Sequence, residues 1–364
     1  MDKKRICFIA QFPPPIHGLS KAVQTLYESK LKQEFDFEKV DISDNRKFIK
    51  NLMTIRKSNA DLFYFTISQT KGGNLRDLII LKLLELQEKK CLLHLHGGYY
   101  RTLVEGLNSW QKKANYKAIR RLESVIVLGP SLKWIFEGML PDEKIFTIPN
   151  CVDDEYLMSD EEFERKISSI EERKVKHVLY LSNFIKAKGY PKILEMANEE
   201  RIRCERGETR KFHFDFAGKF FDKKEERYFW GLVKDNKLEK YITYHGIVNG
   251  EKKRELFKSS DIFVLLTKYE NEGQPISILE AMGNGMIIIT TDHAGIPDIV
   301  KDKINGVVLN EDEYGNREYV IGSLYKKLDY AGIEYKNRET ILKYYRQNRY
   351  LSNMKNCFKT LLGK

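Results

Sequence analysis

Two glutamates, Glu272 and Glu280, lie eight positions apart in the stretch YENEGQPISILEAMGNG at residues 269–285. Gly273 and Pro275 follow the first of them. Proline lacks an N–H and pre-sets φ for a first helical turn. A helix is therefore expected to start at Pro275, bury Ile276, Leu279, Ala281 and Met282, and end at Asn284 and Gly285. The N–H groups from Gly273 to Ser277 would stand at the positive end of its dipole, which makes an anion site. Gly273 admits a phosphate close to the backbone. Glu280, about a turn and a half into the helix, is placed to accept hydrogen bonds from ribose hydroxyls. Glu272, with Gln274 in the same loop, is placed to face a reacting group. Taken alone, the plainer reading has at least equal weight: both acids are helix-start carboxylates favoured by the dipole.

Such residues need elements to hold them. Short β-like runs alternate with amphipathic helices along most of the chain: RICFIA (5–10), DLFYFTI (61–67), CLLHLH (91–96), SVIVL (124–128) and residues 144–148. QFPPPIHG (11–18) reads as a turn-rich loop before a helix over 19–31. Residues 77–86 read as another helix. SDEEFERKISSIEERKVK (159–176) is nearly all polar and reads as a linker, or as a helix at a boundary. The pattern then restarts with HVLYL (177–181), residues 212–217, residues 241–245, DIFVLL (261–266), MIIIT (286–290) and residues 306–309. The expectation is two successive α/β domains with open parallel sheets, and a tail over 339–362 forming one helix. Ligands of such sheets bind outside the carboxyl ends of the strands, and the natural site is the cleft between two such domains.

The 364 residues suit two domains. A net charge of +11 and a pI near 9.1 favour anionic partners, or simply a lysine-rich solvated surface. The five cysteines are scattered with no C-x-x-C spacing, which suggests reduced thiols in a cytosolic protein and no zinc framework. The basic N-terminus leads into too short an apolar run for a signal peptide. No run of 18 apolar residues suggests a membrane span.

The order of strand, E-x7-E with Gly and Pro, Ala-Met helix and strand is more specific than either acid alone. ENEGQPISILEAMGNGMIIIT (270–290), followed by TDHAGIPDIV (291–300), resembles the E-G-x6-E-A-M segment of family 4 retaining glycosyltransferases with the GT-B fold. KIFTIPNCVD (144–153), HVLYLSNFIKAKGYPKILEMA (177–197) and FPPPIHGLSKAVQTL (12–26) resemble that family's domain-closing segment, its second strand–loop–helix and its N-terminal glycine loop. The resemblance implies two Rossmann-like parallel-sheet domains facing each other across a cleft. Residues 1–165 would bind the acceptor and 166–340 the nucleotide sugar, and the helix in 341–364 would return to the first domain. It implies sugar transfer with retention of configuration, the leaving phosphate assisting the incoming hydroxyl. Glu280 falls on the ribose-binding position, Glu272 on the one facing the donor sugar and His96 on a sugar-positioning histidine. Gly273, Gln274, Pro275 and Ile276 surround sugar and phosphate, and Gly18 approaches the phosphate. Lys188 falls on the lysine that neutralises the leaving diphosphate, where charge builds as the bond breaks.

One departure stands out. Relatives often carry arginine five residues before that lysine, where this chain has Asn183. Lys186 is the nearest candidate to compensate. His94, two residues before His96, is its rival; without the resemblance the two weigh equally.

No D-x-D triplet and no metal-spaced cluster occurs in the sequence, which fits metal-independent transfer with no cofactor beyond the donor. UDP, the commonest base among relatives, is adopted for the donor. The acceptor is expected to be a glycan or a lipid-linked oligosaccharide of bacterial surface polysaccharide assembly. GLNSWQKKANYKAIRRL (106–122) sets Trp110, Lys112, Lys113, Tyr116, Lys117, Arg120 and Arg121 on one helix. That helix suits the anionic inner face of a cell membrane, or a solvated face with its aromatics turned inward. The competing readings are a nucleotide-sugar 2-epimerase of similar fold and a basic nucleic-acid-binding protein; no nucleic-acid module is evident and no nucleic-acid partner is expected.

Overall fold

The computed structural model describes residues 3–14, 18–170, 172–326 and 329–363. Pro15, Ile16 and His17, in the expected turn-rich loop, lie outside the described residues. The chain forms two compact units. The first takes Met1–Asn150, Glu270–Gln274 and Asn348–Lys364; the second takes Cys151–Tyr269 and Pro275–Gln347.

The first unit is a six-stranded sheet in the order β2-β1-β3-β4-β5-β6. Its strands are β1 (Lys4–Ala10), β2 (Phe35–Asp41), β3 (Leu62–Thr66), β4 (Cys91–His94), β5 (Ser124–Val127) and β6 (Ile145–Thr147). Every pairing is parallel. All five residues of β3, LFYFT, are buried, because helices cover both faces of a parallel sheet. Sequence patterning missed β2 and the helix Phe48–Lys57. FDFEKVD is an edge strand whose charged residues break any apolar run.

The second unit has the order β12-β11-β10-β7-β8-β9, again wholly parallel. Its strands are β7 (Lys176–Leu181), β8 (Phe212–Ala217), β9 (Ile242–Gly246), β10 (Ile262–Leu265), β11 (Ile287–Thr291) and β12 (Gly306–Leu309). The polar stretch after residue 159 is a helix, Asp160–Ile170, and it belongs to this unit. Its Lys166 ammonium donates to the carbonyls of Phe257 (3.1 Å) and Asn284 (3.0 Å).

The expected single C-terminal helix is two, Tyr330–Tyr344 and Gln347–Leu362. The break at Tyr345 and Arg346 has a cause. The Tyr345 carbonyl accepts from Val152 N–H (2.9 Å), and Arg346 pairs with Asp154 (2.9 Å). The second of these helices packs in the first unit, as expected for the returning helix. Its anchor is Phe358, whose ring lies 6.5 Å from Phe8, 5.7 Å from Phe35 and 6.4 Å from Tyr64. Truncation to Phe358→Ala should cost about 3–5 kcal/mol. Urea denaturation reads the loss, and an unchanged midpoint would refute this account of the anchor.

Candidate active site

In the second sheet β7 lies between β8 and β10, so successive connections run in opposite directions from the β7–β10 pair. That is the switch point at which open α/β sheets bind ligands. The loop after β7 carries Asn183, Lys186 and Lys188. Phe184 anchors it, fully buried, with ring centroids 5.3 Å from Tyr180, 4.5 Å from Phe220 and 5.2 Å from Phe229. Asn183 is exposed, and its carbonyl accepts the Tyr180 hydroxyl at 2.9 Å. The Lys186 ammonium sits 3.7 Å over the Tyr228 ring. Lys188 closes a short 3-10 turn, Lys186–Lys188, and its ammonium lies 5.2 Å from the Tyr269 ring centroid. The loop is fastened to the end of β10 at two points. Lys268 N–H donates to Ala187 O at 2.6 Å. Gly189, at φ +85°, lies so close to the Leu266 carbonyl that a Cβ would collide with it.

The expected helix is Ile276–Gly283, with Pro275 as its N-cap rather than its first residue. No side chain caps it, and the N–H groups of Ile276 and Ser277 have no partner among the described residues. Asn284 and Gly285 end it as expected, Gly285 at φ +73°. Six residues from Ile278 to Gly283 are buried, Glu280 among them at 4% exposure. A carboxylate buried in an apolar helix needs a cation. Lys253, on the helix Gly250–Ser259, supplies it at 2.6 Å, and its ammonium also lies 4.0 Å over the Tyr156 ring. Sequence reasoning missed Lys253, because the run EKKRELFK marks none of its cations as special.

In the first unit, β4 ends at His94, and His96 stands in the following loop rather than closing the strand. The two histidines are partners, not rivals. Their rings are 3.9 Å apart. The Tyr64 hydroxyl lies 2.7 Å from His94 Nδ1 and 3.5 Å from His96 Nε2. Tyr64 is a second residue that patterning missed; the signal was a lone hydroxyl on an otherwise apolar strand centre. Burial pushes the His96 pKa down to about 3, although part of its surface still reaches solvent. Burial first, and then the neighbouring His96, holds His94 well below the ordinary value. Both rings are neutral near pH 7 and suited to hydrogen bonding rather than to carrying charge.

The segment Glu270–Gln274 also belongs to this unit. Gly273 passes so close to the His96 carbonyl that no side chain fits. The Gln274 side chain is held at both ends: Oε1 accepts Asn150 N–H (2.8 Å) and Nε2 donates to Leu128 O (3.1 Å). Glu272 is 8% exposed. Gly18 is exposed at the start of the helix Gly18–Tyr27, and nothing within 4 Å would meet a Cβ there. Packing therefore does not explain its glycine. The expected site residues thus form two sets. Gly18, His96, Glu272, Gly273 and Gln274 lie in the first unit; Asn183, Lys186, Lys188, Pro275, Ile276 and Glu280 lie in the second.

Residues 160–317, which include the second set, match the family described as glycosyl transferases group 1. The chain is 25% identical over 272 residues to an uncharacterized glycosyltransferase of Methanocaldococcus jannaschii, an alignment covering 65% of this chain and 63% of that relative. That is under two thirds of the relative's length. Over 85 residues, 22% of this chain and 21% of the relative, it is 28% identical to the amylovoran biosynthesis glycosyltransferase AmsK of Erwinia amylovora. The structure superposes on Anabaena HepE in complex with UDP with a TM-score of 0.75 at 13% identity, covering 98% of this chain and 100% of that one. The same protein in complex with UDP-glucose gives 0.72 at 14% identity, over 98% and 99% of the two chains. The fold of the chain is GT-B.

Two predictions follow from these side chains. Folded His94 and His96 titrate below the ordinary histidine value, so between about pH 6.5 and their folded pKa values the unfolded chain binds more protons, and stability is lost as pH falls. The urea midpoint should drop on acidification from about pH 7 to about pH 5, and drop less in His94→Gln; identical pH slopes would refute the assignment. Removing the cation in Lys253→Met should cost about 3–5 kcal/mol by taking the ion-pair partner from a buried carboxylate. Adding Glu280→Gln should recover much of that loss in the same denaturation series.

Proposed function

We propose that this glycosyltransferase moves a sugar from a nucleotide donor, with UDP as the nucleotide, to a glycan or lipid-linked acceptor of bacterial surface polysaccharide assembly. Configuration is retained, and neither a metal nor a cofactor beyond the donor takes part. The observation that carries the reading is the switch point of the second sheet. There, inside the stretch matching the family, a loop bearing Lys188 is fastened against the end of β10. Lys188 is the cation for the leaving diphosphate, the work a divalent ion does elsewhere. Glu280, held by Lys253, accepts from the ribose hydroxyls, and the start of its helix offers N–H groups to phosphate.

Glu272, with the amides of Gly273 and Gln274, and neutral His96 orient the sugar; Gly18 leaves room for phosphate. In the reaction, the bond from the anomeric carbon to the diphosphate oxygen breaks. The acceptor oxygen bonds to that carbon on the same face, and its proton passes to the departing phosphate. The HepE complexes with UDP and UDP-glucose support the choice of base. The relative in amylovoran biosynthesis supports the choice of pathway class. Among the described residues no helix is long and apolar enough to cross a membrane.

The test is a thermal-shift screen against UDP-, GDP-, ADP- and CMP-sugars with EDTA present. A donor at about 100 times its Kd stabilises by about 2.7 kcal/mol, several degrees for units of this size. UDP-sugars should give that shift, and Glu280→Ala should abolish it. Lys188→Ala should keep binding but lower turnover by roughly 100- to 1000-fold. A shift that EDTA removes, or none with any nucleotide sugar, would overturn the reading.

A further inference from the structure

The helices Phe48–Lys57, Lys71–Leu86 and Ser109–Arg120 of the first unit enclose an open groove of about 590 Å3. It is lined by Ile49, Met53, Leu75, Ile79, Leu86 and Trp110, which are 43–70% exposed. Scattered surface apolar residues are ordinary, but six large ones around a single groove mark a binding face. Trp110, expected either at a membrane or turned inward, points outward at 66% exposure.

The rim has one sign of charge. Arg56, Lys82 and Lys117 border the groove, and Lys113, Arg120 and Arg121 continue from it on the outer side of the last helix. Glu85 is the only acid lining either surface, and it is already paired with Lys82 (3.0 Å) and with Arg121. Among the described residues, Arg56, Lys113, Lys117 and Arg120 make no ion pair.

We propose that this face docks on an anionic lipid bilayer, the apolar groove entering the headgroup–acyl boundary while the rim cations meet lipid phosphates. A bilayer offers acidic groups and hydrocarbon at adjacent depths, which is the arrangement this face presents in reverse. Tryptophan at the mouth fits the same boundary. A second copy of the chain would bring cation rim against cation rim, which like-charge repulsion opposes. The inference rests on the lipid-linked reading of the acceptor, and it names the surface by which the enzyme would reach such an acceptor.

Flotation of the full chain with vesicles tests it. The protein should float with phosphatidylcholine vesicles containing phosphatidylglycerol and about tenfold less with phosphatidylcholine alone, high salt weakening the binding. The apolar double variant Ile79→Ser with Trp110→Ser should lose about tenfold, and so should Lys113→Gln with Lys117→Gln. Circular dichroism and the nucleotide-sugar thermal shift, measured on the same samples, keep folding and donor binding separate from docking. No flotation with anionic vesicles by a protein that still binds donor would overturn the proposal and leave the donor reading standing. Undiminished flotation of the apolar variant would overturn groove insertion. A dimer in solution that the apolar variant dissociates would assign the groove to a second copy instead.

Discussion

A buried amide must find partners for both of its ends, and the Gln274 side chain finds them on the first sheet. Its oxygen takes the Asn150 N–H and its nitrogen gives to the Leu128 carbonyl, while the Asn150 amide returns a bond to the Gln274 carbonyl at 2.9 Å. An unmade bond at this depth would cost more than a made one contributes, so the loop has little freedom to leave. Glu272 and Gly273 are fixed by their neighbour, and Gly273 can press against the His96 carbonyl only because it has no side chain. The positions of these residues of the first unit follow from two hydrogen-bonded amides and one missing Cβ.

In the second unit packing does the equivalent work. Phe184 occupies the middle of an aromatic cluster and carries the turn that holds Asn183 and the two lysines. With asparagine at position 183, the turn keeps its shape by burial rather than by charge. Gly189 and the Lys268 amide then hold that turn against the end of β10, so Lys188 stands on a rigid support. Glu280 shows the opposite economy of charge: it is buried, and Lys253 is the cation that makes the burial tolerable.

The histidine pair connects fold to chemistry in a different way. Tyr64 on β3 bridges the end of β4 and the loop beyond it. Desolvation keeps both imidazoles neutral, so they orient by hydrogen bonding without placing positive charge in the core.

Residue order alone determined the two parallel sheets, since apolar runs alternating with helices admit few other arrangements. It also determined the helix after Pro275 and its glycine stop, because proline and glycine act on their own backbone. The candidate residues were legible for the same local reason: Glu272, Gly273 and Glu280 share one short segment, and Lys188 precedes its helix within another. Patterning failed where the cause lay far along the chain. Phe35–Asp41 is a strand because it pairs with β1, not because its own residues are apolar. The C-terminal helix breaks because Val152 and Asp154 capture Tyr345 and Arg346, nearly two hundred positions away. Tyr64 and Lys253 acquired their partners only when folding set them beside His94 and Glu280. Local backbone chemistry is written residue by residue, whereas the partner of a buried polar group is chosen by the tertiary structure that buries it.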